Sequence, residues 1–182
     1  MYFRSLTVAA LGLALLAGGA QAQPAKAPAA PAIPDLDAVP PQMPFNVPYG
    51  PPVTLEQAKR VIAGAEAEMK KRGWPEMCAV VDSGANLVAF EREDGGQLAS
   101  IAIAEHKARF AALFRRESLL AENAVQKFHW NYFMTLDGAI ASRGGIPLVE
   151  KGKLIGAVGC SGGTGSQDEV IAKAGVAALN KK

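Results

Sequence analysis

Apolar positions recur at helical spacing in three stretches of the chain and cluster into short runs between them. From Thr54 onward, Ala58, Val61, Ile62 and Ala65 fall on one stripe of a helix. Thr54 and Gln57 are spaced as a capping box, and Gly73 is its stop. Residues 77–81 and 87–90 read as strands separated by turn chemistry, Asp82-Ser83-Gly84-Ala85-Asn86. After the break Asp94-Gly95-Gly96, a long helix is expected over 98–115. One face of it carries Ala104, Ala108 and Ala111, small enough to lie close to a sheet. Another carries Ile103, Phe110 and Phe114, and a helix apolar on two sides needs two partners. Helix continues over 117–127, and 128–134 is a dense aromatic cluster around His129-Trp130-Asn131-Tyr132-Phe133. Residues 146–149 and 154–158 form a hairpin across Glu150-Lys151-Gly152-Lys153, and 168–179 is the closing helix. Helix, two strands, helices, two strands, helix predicts an α+β fold: helices layered on an antiparallel sheet.

The stretch from Lys153 to Glu169 runs from strand through Gly162, Gly163 and Gly165 into a helix start. Ser166 and Glu169 are placed as a capping box there, and Asp168 suits the positive end of the helix dipole. Free N–H groups at such a start attract anions, but no Lys follows the glycines as in a P-loop. The G-x-G-x-x-G spacing is absent as well. Gly159-Cys160-Ser161-Gly162-Gly163 fits G-x-S-x-G, yet both histidines precede the serine, against the order of a hydrolase of that type. The third reading is a sharp turn that lets a strand pack closely on a helix; an anion held by the turn from Ser161 to Ser166, with Lys107 or Arg109 neutralising it, stays open.

Composition changes the picture mainly at the N-terminus. Arg4, the apolar run 8–16 and Ala20-Gln21-Ala22 make residues 1–22 a secretory signal peptide with cleavage before Gln23. That run is too short for a permanent span, so no stable membrane insertion is expected after cleavage, and the protein should be periplasmic or secreted. Residues 23–52 hold all but two of the twelve prolines and read as a Pro/Ala-rich tether or disordered arm, extended and solvated. Its later part, from Met43 to Gly50, has apolar side chains that could lie along the domain or a neighbouring subunit. Residues 53–182, about 130 residues, make one domain of ordinary size. Net charge is +2, and the basic residues are dispersed, so no nucleic-acid footprint is present.

Several collinear segments resemble the GlcG/HbpS-like haem-binding family. They are Thr54-Leu55-Glu56-Gln57-Ala58-Lys59, Gly73-Trp74-Pro75, Ala79-Val80-Val81-Asp82-Ser83-Gly84, Lys107-Ala108-Arg109-Phe110-Ala111-Ala112, Gly144-Gly145-Ile146-Pro147-Leu148, and Leu154-Ile155-Gly156-Ala157-Val158-Gly159 running on through Ser161-Gly162-Gly163-Thr164. The resemblance covers about residues 53–180. It implies a profilin-like α/β/α layered sandwich, homo-oligomers, and haem or another tetrapyrrole as ligand, with corrinoid-processing relatives and links to glycolate-type metabolism. An exported protein that carries, buffers or senses haem is the first expectation. The alternatives are an enzyme or accessory protein acting on a small acid or aromatic compound, and an interaction module with no small ligand.

The candidate site residues are few. His106, one turn from Phe110, and His129, inside the aromatic cluster, are the only histidines, and either imidazole could ligate haem iron. On residues alone each reads better as a polar residue at a surface or interface, and the resemblance raises the haem reading. The resemblance singles out neither, and threonine, tyrosine, Met134 and Cys160 stay open as ligands; Thr164 lies within the matching signature. Lys107 and Arg109 could pair with a carboxylate or a haem propionate, or could be surface charges with packed stems. No H-E-x-x-H, Cys/His cluster or C-x-x-C-H occurs, which excludes c-type haem attachment and argues against structural zinc. No nucleophile–base pair or catalytic metal set is evident. Cys78 and Cys160, the only cysteines, lie in different strands and could form a disulfide if those strands are antiparallel neighbours.

Overall fold

The computed structural model describes residues 34–43 and 47–179. The expected leader over 1–22 and the first part of the Pro-rich arm lie outside the described residues. Helix α1, Leu55–Arg72, starts from the Thr54/Gln57 capping box and ends on Gly73 in the left-handed region. Strands β1, Met77–Asp82, and β2, Leu87–Arg92, follow. Helix α2 spans Ser100–Leu113 and α3 spans Leu119–Gln126. A short 3-10 helix, Asn131–Thr135, leads to the hairpin of β3, Gly145–Glu150, and β4, Lys153–Ser161. Helix α4, Gly165–Ala178, closes the fold. The four strands pair antiparallel with one another, in the order β2-β1-β4-β3.

Strand alternation distributes the core between two faces of the sheet. Cys78, Val80, Val158 and Cys160 point at α1 and α4, where they meet Val61, Ile62, Ala65, Ile171 and Ala172. Met77, Ala79, Val81 and Ala157 point the other way, at Ala104, Ala108, Ala111 and Ala112 of α2. The result is the expected α/β/α sandwich, with β1 and β4 at its centre. Cys78 stands opposite Cys160 in the β1–β4 register, with Cα atoms 4.2 Å apart, and the two form a disulfide.

The small-residue face of α2 lies on the sheet, as expected. A Cβ on Gly159 would stand 2.2 Å from the Ala104 carbonyl oxygen and 2.3 Å from the Ala108 nitrogen. Helix and strand backbones therefore touch there. The second apolar face finds its partner within the same chain. Phe110 is fully buried by the chain's own α3 and 3-10 segment, against Ala121, Ala124 and Phe133. The apolar surface is moved outward, to the exposed side chains of Leu113, Tyr132, Met134 and Leu136.

The end of the arm also has a place. β1 stops opposite Gly156, and residues 48–53 take its position beside the start of β4. Gly50 N–H donates to the Leu154 carbonyl, Leu154 N–H to Pro48, and Val53 N–H to Ile155. Arg115 donates to the Val47 carbonyl and lies over the Tyr49 ring. Gly159→Ala should destabilise the protein by about 3 kcal/mol or more, because two backbones must part. Gly73→Ala, strained only by its positive φ, should cost about 1 kcal/mol. Urea denaturation of both variants checks the ranking.

Candidate functional site

Lys107 belongs to the sheet-facing side of α2, three residues from Ala104 and four from Ala111. Its side chain is fully buried, and its ammonium donates to Asp168 Oδ2 at 2.5 Å and to the Cys160 carbonyl at 3.2 Å. Asp168 sits in α4, on the opposite face of the sheet. The ion pair therefore crosses from one helical layer to the other, past the end of β4. Gly144 and Gly145 make room for it. A Cβ on Gly145 would lie 2.3 Å from the Lys107 carbonyl oxygen, and one on Gly144 would lie 2.8 Å from Asp168 Cβ.

A second carboxyl joins this pair. Glu76 is 1 % exposed, and neither of its oxygens has a hydrogen-bond partner. It lies against Gly162 and Gly163 at the start of the glycine turn. Burial first, and the Asp168 charge after it, push its carboxyl up to about 8 against the opposing pull of Lys107. At neutral pH Glu76 is therefore neutral beside the Lys107–Asp168 pair. Nearby, Ser161 donates to Ser100, and Gly145 N–H donates to Ser118, whose own N–H returns to the Gly145 carbonyl.

This arrangement corrects two sequence readings. The capping box of α4 is Thr164 with Gln167, two residues upstream of the expected Ser166 and Glu169. Its side chain accepts from the Gln167 N–H, so Thr164 is committed to the helix start. Asp168 is more than a helix-start charge: it receives the Gly163 N–H on one oxygen and Lys107 on the other. Lys107 is no surface charge, and Asp168 already takes the ammonium that an anion at the turn would need.

The other candidates stand apart from that cluster. Arg109 is exposed and pairs with Glu105 on its own helix. His106 is half-buried on α2, one turn before Phe110, and His129 is exposed with a positive φ of 57°. Among the described residues neither imidazole has a hydrogen-bond partner, so their lone pairs are uncommitted. Each is next to a member of one aromatic cluster. Phe110 stacks on Phe114 at 4.5 Å, and Phe114, Phe133, Tyr132, Trp130 and Phe128 continue as a chain of tilted rings. The Trp130 indole nitrogen is buried and unpartnered. Exposed Tyr132 and Met134 make the outer surface of this shelf. Among the described residues, no three His, Cys, Asp or Glu side chains gather as a metal site.

Sequence reasoning missed Glu76 and the partnership of Lys107 with Asp168. The signals were present but weak. Glu76 has the parity of Cys78 and Val80, and Lys107 has the helical phase of Ala104 and Ala111.

Residues 53–177 match the family described as haem degrading protein HbpS-like. Protein GlcG of Escherichia coli K12 is 40% identical over 109 residues, 60% of this chain and 81% of that protein. A Klebsiella pneumoniae protein, ORFY, has a similar structure at TM-score 0.67 and 25% identity, covering 78% of this chain and 99% of its own. A double mutant of HbpS from Streptomyces reticuli superimposes at TM-score 0.66 and 27% identity, covering 81% of this chain and 100% of its own.

Removing one partner of the buried pair, as in Lys107→Met, should cost about 3–5 kcal/mol, and Lys107→Met with Asp168→Leu should restore most of it. Chemical denaturation of single and double variants measures both. Glu76 adds a pH dependence whose sign is fixed. Its folded carboxyl is raised from the ordinary 4.5 to about 8, so its contribution is complete below 4.5 and is lost as pH rises toward 8. Between these limits stability should fall more steeply in the native protein than in Glu76→Gln, which thermal melts across the range would show.

Proposed function

The chain belongs to the HbpS-like family, and from that membership we propose that it is an exported haem-binding protein that carries, buffers or senses haem. One observation carries the geometric side of the reading: the shelf Phe128–Trp130–Tyr132–Phe133 holds a buried indole N–H with no acceptor, beside an imidazole with no donor. A flat apolar macrocycle fits such a surface, since aromatic rings stack on it. His129 is the first candidate for the iron and His106 the second. Arg109, held only by an exposed pair with Glu105, is the candidate for a propionate. Haem, when bound, supplies iron-centred redox chemistry; the chain's part is to offer the imidazole, seat the ring and exclude water. Corrinoids would meet the same surface less well, because their substituents crowd both ring faces.

An open shelf leaves one face of a macrocycle in water. A second copy closing over Tyr132 and Met134 would bury it, and we propose a homo-oligomer, a dimer at least, on that ground. Residues 53–182 would then be the ligand-binding unit and residues 23–52 its tether.

Titration of the mature protein with hemin should give a saturable, stoichiometric Soret shift. His129→Ala should remove or displace it, with a smaller change for His106→Ala. No stoichiometric shift sinks the reading, and a shift untouched by both variants shows both ligand assignments wrong. The family's description adds degradation, and loss of the Soret band on adding ascorbate to the complex would establish it. Light scattering at micromolar concentration should report a dimer or larger; a monomer with and without hemin overturns the assembly.

A further inference from the structure

Lys107, Asp168 and Glu76 form a buried cluster whose third member the ion pair does not explain. Lys107 and Asp168 satisfy one another. Glu76 adds nothing to them as a structural group. It is 1 % exposed, its oxygens have no hydrogen-bond partner, and a buried carboxyl without one weakens a fold. Its place is nevertheless well defined. A Cβ on Gly163 would lie 3.0 Å from Glu76 Oε1, and the N–H of Gly163 donates to Asp168 Oδ1 at 3.0 Å. The two carboxyl groups therefore flank one glycine. A neutral Glu76 is a proton donor, and Asp168 is the acceptor beside it.

Three features of the cluster suit a condensation between an amine and a carboxyl group. The first is approach. Lys107 Nζ stands 2.5 Å from Asp168 Oδ2, and the carboxyl carbon is one bond further on. Gly144 puts no side chain between them: a Cβ there would lie 2.8 Å from Asp168 Cβ and 3.2 Å from Lys107 Nζ. Packed helices on opposite faces of the sheet hold the two groups together, which supplies the effective concentration that separate reactants lack. The second is an acid. An oxygen leaves a carboxyl group as water only with a proton, and Glu76 carries one at neutral pH. The third is the product. An amide between Lys107 and Asp168 would have its N–H beside the Cys160 carbonyl, which already accepts from Nζ at 3.2 Å. Its carbonyl would have the Gly163 N–H that already serves Oδ1. Both polar atoms of the new bond have partners in place, and two buried charges disappear.

We propose that Lys107 and Asp168 join in an intramolecular isopeptide bond, with Glu76 as the acid–base group that forms it. The ammonium first passes a proton to the Asp168 carboxylate, which leaves a neutral amine. The amine nitrogen attacks the carboxyl carbon; the N–C bond forms and one C–O bond breaks. Glu76 gives its proton to the departing oxygen and takes one from the nitrogen, so it ends as it began. In sum, two of the three ammonium protons leave with that oxygen as one water, and the third stays on the amide. The balance needs no oxidant, reductant or other reactant. Freshly folded chain holds the ion pair, and the bond accumulates in it. The bond ties α2 to α4 past the end of β4, where the disulfide already ties β4 to β1.

The test is peptide mass spectrometry on the full mature protein, incubated for increasing times, then reduced and digested with trypsin. Residues 93–109 and 154–173 should appear as one branched peptide, lighter than their sum by one water, in a share that rises with time. Fragmentation should place the link at Lys107 and Asp168. Glu76→Gln keeps the shape of the side chain and its neutrality, and should slow the rise by about a hundred-fold or more, the usual contribution of a general acid–base group. A native circular dichroism spectrum for that variant separates lost chemistry from lost folding. Protein held in urea should form no link, because the approach belongs to the fold. Finding the two peptides only apart overturns the proposal. So does a missing water confined to one of them, as in a succinimide at Asp168, or a link from Lys107 to Glu76 instead. A link that Glu76→Gln forms as fast as the native chain removes Glu76 from the reaction and overturns the mechanism. None of these outcomes depends on hemin, so the haem reading stands or falls separately.

Discussion

The buried ion pair between Lys107 and Asp168 ties the three layers of this fold together. A lone ammonium at the level of the sheet would be expensive, and so would a lone carboxylate. Each is tolerable only because the other arrives from the far side of β4. That requirement sets several other features. Gly144 and Gly145 must lack side chains, or the lysine has no passage. Asp168 must sit one turn inside α4, so the helix must begin near Gly165, and the Thr164/Gln167 box starts it there. The Cys160 carbonyl is drawn into the same network, next to the disulfide that fixes the β1–β4 register. Glu76 then has to remain neutral, because the site holds one cation and cannot hold two anions.

The fold was largely legible in the sequence because its signals are local. Thr54 with Gln57, Gly73, and the turn between β3 and β4 do their work within a few residues. Lys151 and Gly152 both take positive φ in that turn, as a two-residue hairpin requires. The alternation of β1 and β4 placed Cys78 and Cys160 in central strands, and antiparallel pairing made their bond geometrically available. The site was less legible because its contacts join distant segments. Lys107 and Asp168 are 61 positions apart, and each had an adequate local explanation. Lys107 passed for a helix-surface charge and Asp168 for a helix-start charge. Two capping boxes, Ser166/Glu169 and Thr164/Gln167, were both written into one stretch, and only the packing of Asp168 chose between them.

The aromatic segment shows a related limit. The sequence reading correctly found too much apolar surface on α2 for one small sheet to cover. It did not identify the cover. Phe110 and Phe114 are roofed by the chain's own 3-10 segment, so the surplus is carried outward by one layer rather than removed. The shelf that remains is built of rings whose polar edge is unsatisfied, with His129 beside it in a left-handed backbone conformation. Histidine tolerates that conformation better than most side chains, but it is still an uncommon one. A segment that keeps an indole N–H unpaired and an imidazole uncommitted is built less for stability than the sandwich beneath it.

The arm's docking beside β4 bears on how the protein would carry mechanical load. Tension applied upstream of Val47 would not peel an edge strand away one bond at a time. Tyr49 bridges Leu154 in the parallel sense, so the contacts of residues 48–53 with β4 lie along the direction of pull and would be loaded together, in shear. The Leu113 carbonyl at the end of α2, which accepts from Tyr49, and Arg115 just beyond it, which donates to Val47, add two anchors to the same segment. Force would therefore enter at β4, the strand bonded on both sides and cross-linked to β1, and α1 would be shielded from it. A domain held at the end of a pulled tether would keep its layers while the tether straightened.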